Sequence, residues 1–259
     1  MHEVNVAFGI TPRAQRELIF AAKLASRLGS PLHVWRPRQL IPETLDAGER
    51  FGQVPVQRVE ATHVADRVRR LIDNVQLGAR PVFVVGTVEA ESGPGQIIVG
   101  RRDLRVHDGA AHLAPMDEIA LEARGWGPVC IPFGNAPEST NACRRLLDLA
   151  WRLMLPVRFY HTTWKMEGVA DALPPSVHMM PAAIAVKAAL EETARRRRMT
   201  YRTVIETAAS IDEGVCRFAL REGCSLIALS RGEHVGRGSY VDDILARSTT
   251  PVYVEPRRS

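Results

Sequence analysis

Few side chains in this sequence combine the chemistry and the spacing needed for catalysis or tight binding. The strongest grouping lies at residues 231–239, where Gly232, Gly236, Gly238 and Ser239 stand beside the cations Arg231 and Arg237. Glycines let a backbone approach an anion closely, and the N–H groups and dipole of a helix that opens at Ser239 favour negative charge. The same residues also suit a tight strand-to-helix turn with Ser239 as N-cap, so both readings stay open. His107, Asp108 and His112 place three potential metal ligands near one another, yet no further spaced ligand completes a site, and a surface loop is expected. Cys130, Cys143, Cys216 and Cys224 form no CxxC pair and lie in apolar stretches, which reads as buried free thiols. Arg195 to Arg198 close a helical pattern, where cations complement the dipole and face solvent. His33 and His161 read as satisfied strand histidines. No GxSxG elbow, GxxxxGK[ST] loop, HExxH pair or GxGxxG after the first strand is present.

The elements that must carry these residues repeat at a constant offset of 125 positions, read directly from the sequence. Val4, Val6, Phe8, Gly9, Pro12, Leu24, Leu28, Pro31 and Trp35 fall without a gap on Val129, Ile131, Phe133, Gly134, Pro137, Leu149, Leu153, Pro156 and Tyr160. Met116 to Ile119 fall on Val241 to Ile244 at the same offset. A gapless match of apolar, turn and helix positions implies two copies of one domain, spanning residues 1–125 and 126–259, each long enough for its own core. Each copy opens as strand, helix, strand: 4–8, 12–28 and 32–35, then 129–133, 138–154 and 157–160. Thr11-Pro12 supplies a helix start and Gly29 a stop. The second copy continues with a helix at 182–198, a strand at 201–206, a helix at 211–222, a strand at 226–229, a helix at 240–246 and a strand at 252–254. The pattern predicts a five-stranded, mainly parallel, doubly wound α/β sheet. In the first copy, 54–60, 64–75 and 82–85 match the middle of this series. Residues 86–114 read as an inserted segment, a β-hairpin or a loop over the sheet, built around Gly93-Pro94-Gly95. The strand at 129–133 fits either the end of the first copy or the start of the second.

Composition narrows the function. Thirty-four basic residues against 29 acidic ones give a net charge of +5, scattered along the chain, so no nucleic-acid partner is expected. A strand pattern starts almost at once after Met1 and no long apolar span occurs, which points to the cytoplasm and away from membranes. The final strand, near Pro251 to Pro256, would lie at a sheet margin. It could pair with a second chain to give a homodimer, or be satisfied internally by the fusion.

The end of the second copy resembles the C-terminal signature of the universal stress protein family. The strand at 226–229, the loop with Gly232 and Gly236, Gly238-Ser239 before a short helix, and Pro251-Val252-Tyr253-Val254 carry that likeness. The resemblance implies two tandem Rossmann-like universal-stress-protein domains, the first one degenerate. It also implies a stress-response regulatory protein with an adenine nucleotide, ATP or AMP, in the second domain, and no metal beyond nucleotide-associated Mg. The residues it would place around that nucleotide are Phe133, Gly134, Asn135, Arg231, Gly232, Gly236, Arg237, Gly238 and Ser239. The chain departs from the nucleotide-binding pattern at two points. A single residue, Arg237, separates Gly236 from Gly238, so the loop is short, and Phe133-Gly134-Asn135 stands where such members carry an aspartate. A nucleotide-free scaffold of the same fold is the alternative, followed by an enzyme acting on a small phosphorylated anion. No catalytic residue is assigned.

Overall fold

Short runs of apolar, often β-branched residues form strands, and helices with one apolar stripe return the chain between them. The computed structural model describes residues 3–7, 12–36, 70, 81–85, 96–100, 110–114, 126–135, 138–163, 181–231 and 240–255. Two compact units are formed, one by Met1–Gly100 with Leu104–Ala110, the other by Ala111–Ser259 with Arg101–Asp103.

The described part of the first unit holds β1 (Glu3–Ala7), α1 (Pro12–Leu28), β2 (Leu32–Arg36), β3 (Pro81–Val85) and β4 (Gln96–Val99). All four strands are parallel, in the order β3-β2-β1-β4. Alternate residues of a strand face opposite sides. Val4, Val6, Leu32, Val34, Ile97 and Val99 therefore share one buried face, while the buried Asn5 and Trp35 share the other. Asn5 is tolerated there because its amide is satisfied. Its Oδ1 accepts from Trp35 Nε1 at 2.7 Å and its Nδ2 donates to the Glu3 carbonyl at 3.3 Å.

The second unit holds β5 (Ala111–Ala114), β6 (Val129–Pro132), α2 (Glu138–Arg152), β7 (Val157–Thr163), α3 (Pro181–Arg196), β8 (Tyr201–Thr207), α4 (Ile211–Arg221), β9 (Leu226–Ser230), α5 (Tyr240–Arg247) and β10 (Val252–Glu255). Its strand order is β5-β10-β9-β6-β7-β8. Every pairing is parallel except that of β5, which runs antiparallel along β10 with Leu113 opposite Tyr253. Around β6 the order repeats that of the first unit around β1: β7 and β8 on one side correspond to β2 and β3, and β9 on the other corresponds to β4. Cys130, Tyr160, Ile227, Leu229, Val252 and Val254 pack with Val215, Phe218 and Ala219 of α4 and Val241, Ile244 and Leu245 of α5 in one apolar cluster.

Two sequence expectations are corrected by this topology, and one left open is decided. At 86–114, expected as an insertion, the described residues supply two sheet strands. Gln96–Val99 is the strand beside β1, and Ala111–Ala114 closes the edge of β10. Residues 82–85 correspond to β8, not β9, because β3 pairs with β2 at the outside of its sheet. The strand at 129–132 opens the second sheet, since it pairs in parallel with β7 and β9. Periodicity missed these assignments because a buried four-residue strand looks alike wherever it sits in the order. The helix expected at 138–154 stops at Arg152, because Met154 adopts a left-handed conformation with φ of 54°. Residues 54–60, 64–75 and 116–119, also read from the repeat, lie outside the described residues apart from Arg70, which is helical.

Candidate functional site

The crossover from β6 through α2 to β7 moves one way along the second sheet, whereas those through α4 to β9 and through α5 to β10 lie on the other side of β6. Right-handed crossovers in opposite directions place their helices on opposite faces, and the point where they diverge, at the carboxyl ends of β6 and β9, is where doubly wound sheets form their ligand crevice. These two strands are direct neighbours, with Val129 opposite Leu226 and Cys130 opposite Ile227. Phe133-Gly134-Asn135 leaves β6 at this end and Arg231 leaves β9 at the same end.

The four described candidates play different parts. Phe133 is buried, so its side chain belongs to the core. Its ring stacks on His161 with centroids 4.9 Å apart, its N–H donates to the Tyr160 carbonyl at 3.0 Å, and its own carbonyl lies 2.9 Å from His161 Nδ1. His161 is thereby a satisfied strand histidine, as expected. Gly134 and Asn135 are exposed, and the Gly134 N–H donates to Ser139 Oγ at 3.2 Å. A Cβ at Gly134 would meet nothing nearer than that oxygen, at 3.8 Å, so packing does not demand glycine here. Arg231 is exposed. Its N–H donates to the Glu255 carbonyl at 3.2 Å, and its guanidinium stands 4.0 Å from Asp242. Gly232, Gly236, Arg237, Gly238 and Ser239 lie outside the described residues.

Of three neighbours on α2 and β10, sequence reasoning missed Arg145 and Glu255 and read Cys143 only as a buried thiol. The Cys143 thiol donates to the Pro132 carbonyl at 3.6 Å, and burial pushes it up to about 12, against partial lowering by Ser139 and Arg145. Held protonated, it is no nucleophile at neutral pH. Arg145 Nε donates to Glu255 Oε1 at 2.7 Å, tying α2 to the last strand. No local pattern announces this pair, because 110 positions separate its members. Near the start of α5, burial, reinforced by Cys143, raises the Tyr240 phenol above its ordinary value.

The remaining sequence candidates are structural. All four cysteines are free; Cys130, Cys143 and Cys224 are buried, and burial, reinforced by Cys224, keeps the Cys130 thiol well above its ordinary range. Arg195 and Arg196 share Glu192, and Arg197 pairs with Asp148, so three of these four cations have a carboxylate partner. His112 is buried in β5, whereas His107 and Asp108 lie outside the described residues. Among the described residues no group of side chains could hold a metal ion, and no helix is long and apolar enough to cross a membrane.

A universal stress protein from Archaeoglobus fulgidus superposes on 98% of this chain, over 96% of its own length, with a TM-score of 0.63 and 12% identity. The fold is that of tandem universal stress proteins. A functionally unknown protein from Pseudomonas aeruginosa, also 12% identical, covers 99% of the chain over 93% of its own length with a TM-score of 0.57. At this identity the universal-stress-protein likeness is one of fold, carried by strand order and element lengths and not by shared side chains. No protein-family model and no curated protein matches the sequence.

Proposed function

We propose that this chain is a universal-stress-protein-like regulatory protein of the stress response that binds an adenine nucleotide, ATP or AMP, in its second unit. What carries this reading is the crevice at the carboxyl ends of β6 and β9. It brings the exposed Gly134-Asn135 and the cation Arg231 to the point where doubly wound sheets take their ligands. The glycine run that follows Arg231 in sequence would supply backbone N–H groups to phosphate, and Asn135 a side-chain amide to the base or ribose. The cytoplasm is the proposed location, with no metal beyond nucleotide-associated Mg. A nucleotide-free scaffold of the same fold is the second reading. It is favoured by Gly134, whose N–H is already taken by Ser139 and which offers no carboxylate to a ribose.

Calorimetric titration of the purified chain with ATP, ADP and AMP separates the two. The nucleotide reading expects saturable binding that Gly238→Val abolishes while the far-ultraviolet spectrum is unchanged. Absence of heat with all three nucleotides would establish the scaffold reading instead.

A further inference from the structure

The Arg145–Glu255 pair has an asymmetry that a purely structural ion pair does not require. Glu255 is buried, its side chain only 9% exposed, whereas the Arg145 side chain is 30% exposed. A guanidinium is built to grip a carboxylate or phosphate with two parallel N–H groups. Here it uses Nε alone, and among the described residues its two Nη nitrogens make no hydrogen bond or ion pair. Glu255 is the last residue of β10, and its carbonyl accepts the N–H of Arg231, the residue that opens the glycine run. On α2 the neighbouring Cys143 contacts Pro132, at the carboxyl end of β6. A partly exposed, incompletely used cation thus stands at the strand ends that flank the crevice, held by an internal carboxylate.

Resting on the nucleotide reading above, we infer that Arg145 is the phosphate-binding cation of the crevice and that Glu255 occupies it as an internal competitor in the unliganded chain. Phosphate oxygens would take the unused Nη face and then displace the single Nε contact. The carboxylate therefore sets the affinity: removing its charge frees the guanidinium, while the buried amide of glutamine keeps the shape.

The test is calorimetry on the full-length chain and the variants Glu255→Gln, Arg145→Gln and the double variant, each titrated with ATP, inorganic triphosphate and adenosine. Glu255→Gln is expected to bind ATP and triphosphate on the order of tenfold more tightly than the unaltered chain, with adenosine unchanged. Arg145→Gln should weaken ATP by a similar factor, and the double variant should show no gain. Should Glu255→Gln fail to fold, Arg145→Gln alone decides, since unchanged ATP affinity in it refutes the role of the cation. ATP binding by the unaltered chain with no gain in Glu255→Gln, or a gain that survives in the double variant, overturns the inference and leaves the nucleotide reading standing. Binding of ATP by none of the chains overturns both.

Discussion

Gly214, in the first turn of α4, shows how one missing side chain shapes the second core. A Cβ there would lie 2.6 Å from the Tyr160 hydroxyl oxygen and 3.0 Å from the Ala208 Cβ. The Tyr160 ring is fully buried and stacked on Phe218 at 4.5 Å, so it has no room to yield. Two effects of Gly214→Ala then oppose each other. Alanine favours the helix by about 1 kcal/mol, whereas overpacking a closed core costs roughly 1 to 3 kcal/mol. We expect the clash to win and the variant to unfold at lower urea concentration than the unaltered chain; a midpoint equal or higher would show that the ring moves aside freely. At this scale the sequence was partly legible. Gly134, Asn135 and Arg231 stand just past the carboxyl ends of β6 and β9. Phe133 is diverted into the core by His161, and Arg145 with Glu255 stayed invisible because only the fold brings them together.

Four of the five described helices, α1 to α4, share one way of ending. At α1, Gly29 donates to the Ser26 carbonyl and Ser30 to that of Ala25; at α4, Gly223 donates to Leu220 and Cys224 to Ala219. The same pair of bonds closes α2 at Met154 and Leu155, and α3 at Arg198 and Met199. Each closure needs a residue with positive φ, between 54° and 63° in these four. Glycine takes that conformation freely, whereas an L side chain is strained by about 1 kcal/mol or more. Met154 is exposed, and no buried contact would be lost by trimming it. Met154→Gly is therefore expected to stabilise the chain by roughly 0.5 to 1 kcal/mol, read as a higher urea midpoint with an unchanged slope. A lower midpoint would mean that the methionine packs usefully in solution. Gly29 was readable as a helix stop. Its counterpart Met154 was not, since the conformation there is imposed by the returning strand.

Over the whole chain, the edge of the last strand is the consequential feature. β10 would be a free margin in an isolated five-stranded sheet, but β5 covers it antiparallel, with Ala114 opposite Val252 and His112 opposite Val254. Val252 is fully buried within the cluster that includes α4 and α5. Placing a cation there strips apolar contacts and buries an unpaired charge, so Val252→Lys should cost about 3 to 5 kcal/mol of unfolding free energy. Because the edge is already occupied, the sedimentation coefficients of the folded variant and the unaltered chain should coincide. A dimeric chain that Val252→Lys converts to monomer would show that β10 pairs between molecules instead.

By itself the sequence determined that the chain is a tandem α/β protein. The first strand, first helix and second strand of each copy carry strong periodicity, and their gapless offset of 125 residues needs no tertiary information to be seen. It also indicated the fold likeness, through the Gly-Ser helix start and the Pro-Val-x-Val strand of the second copy. Only the tertiary structure decided the places of Gln96–Val99 and Ala111–Ala114. Both are four-residue apolar strands whose identity lies in their hydrogen-bonded neighbours, β1 for one and β10 for the other. The Arg145–Glu255 contact was decided the same way, because a pairing between groups 110 residues apart is a property of the folded sheet and the helix laid across it.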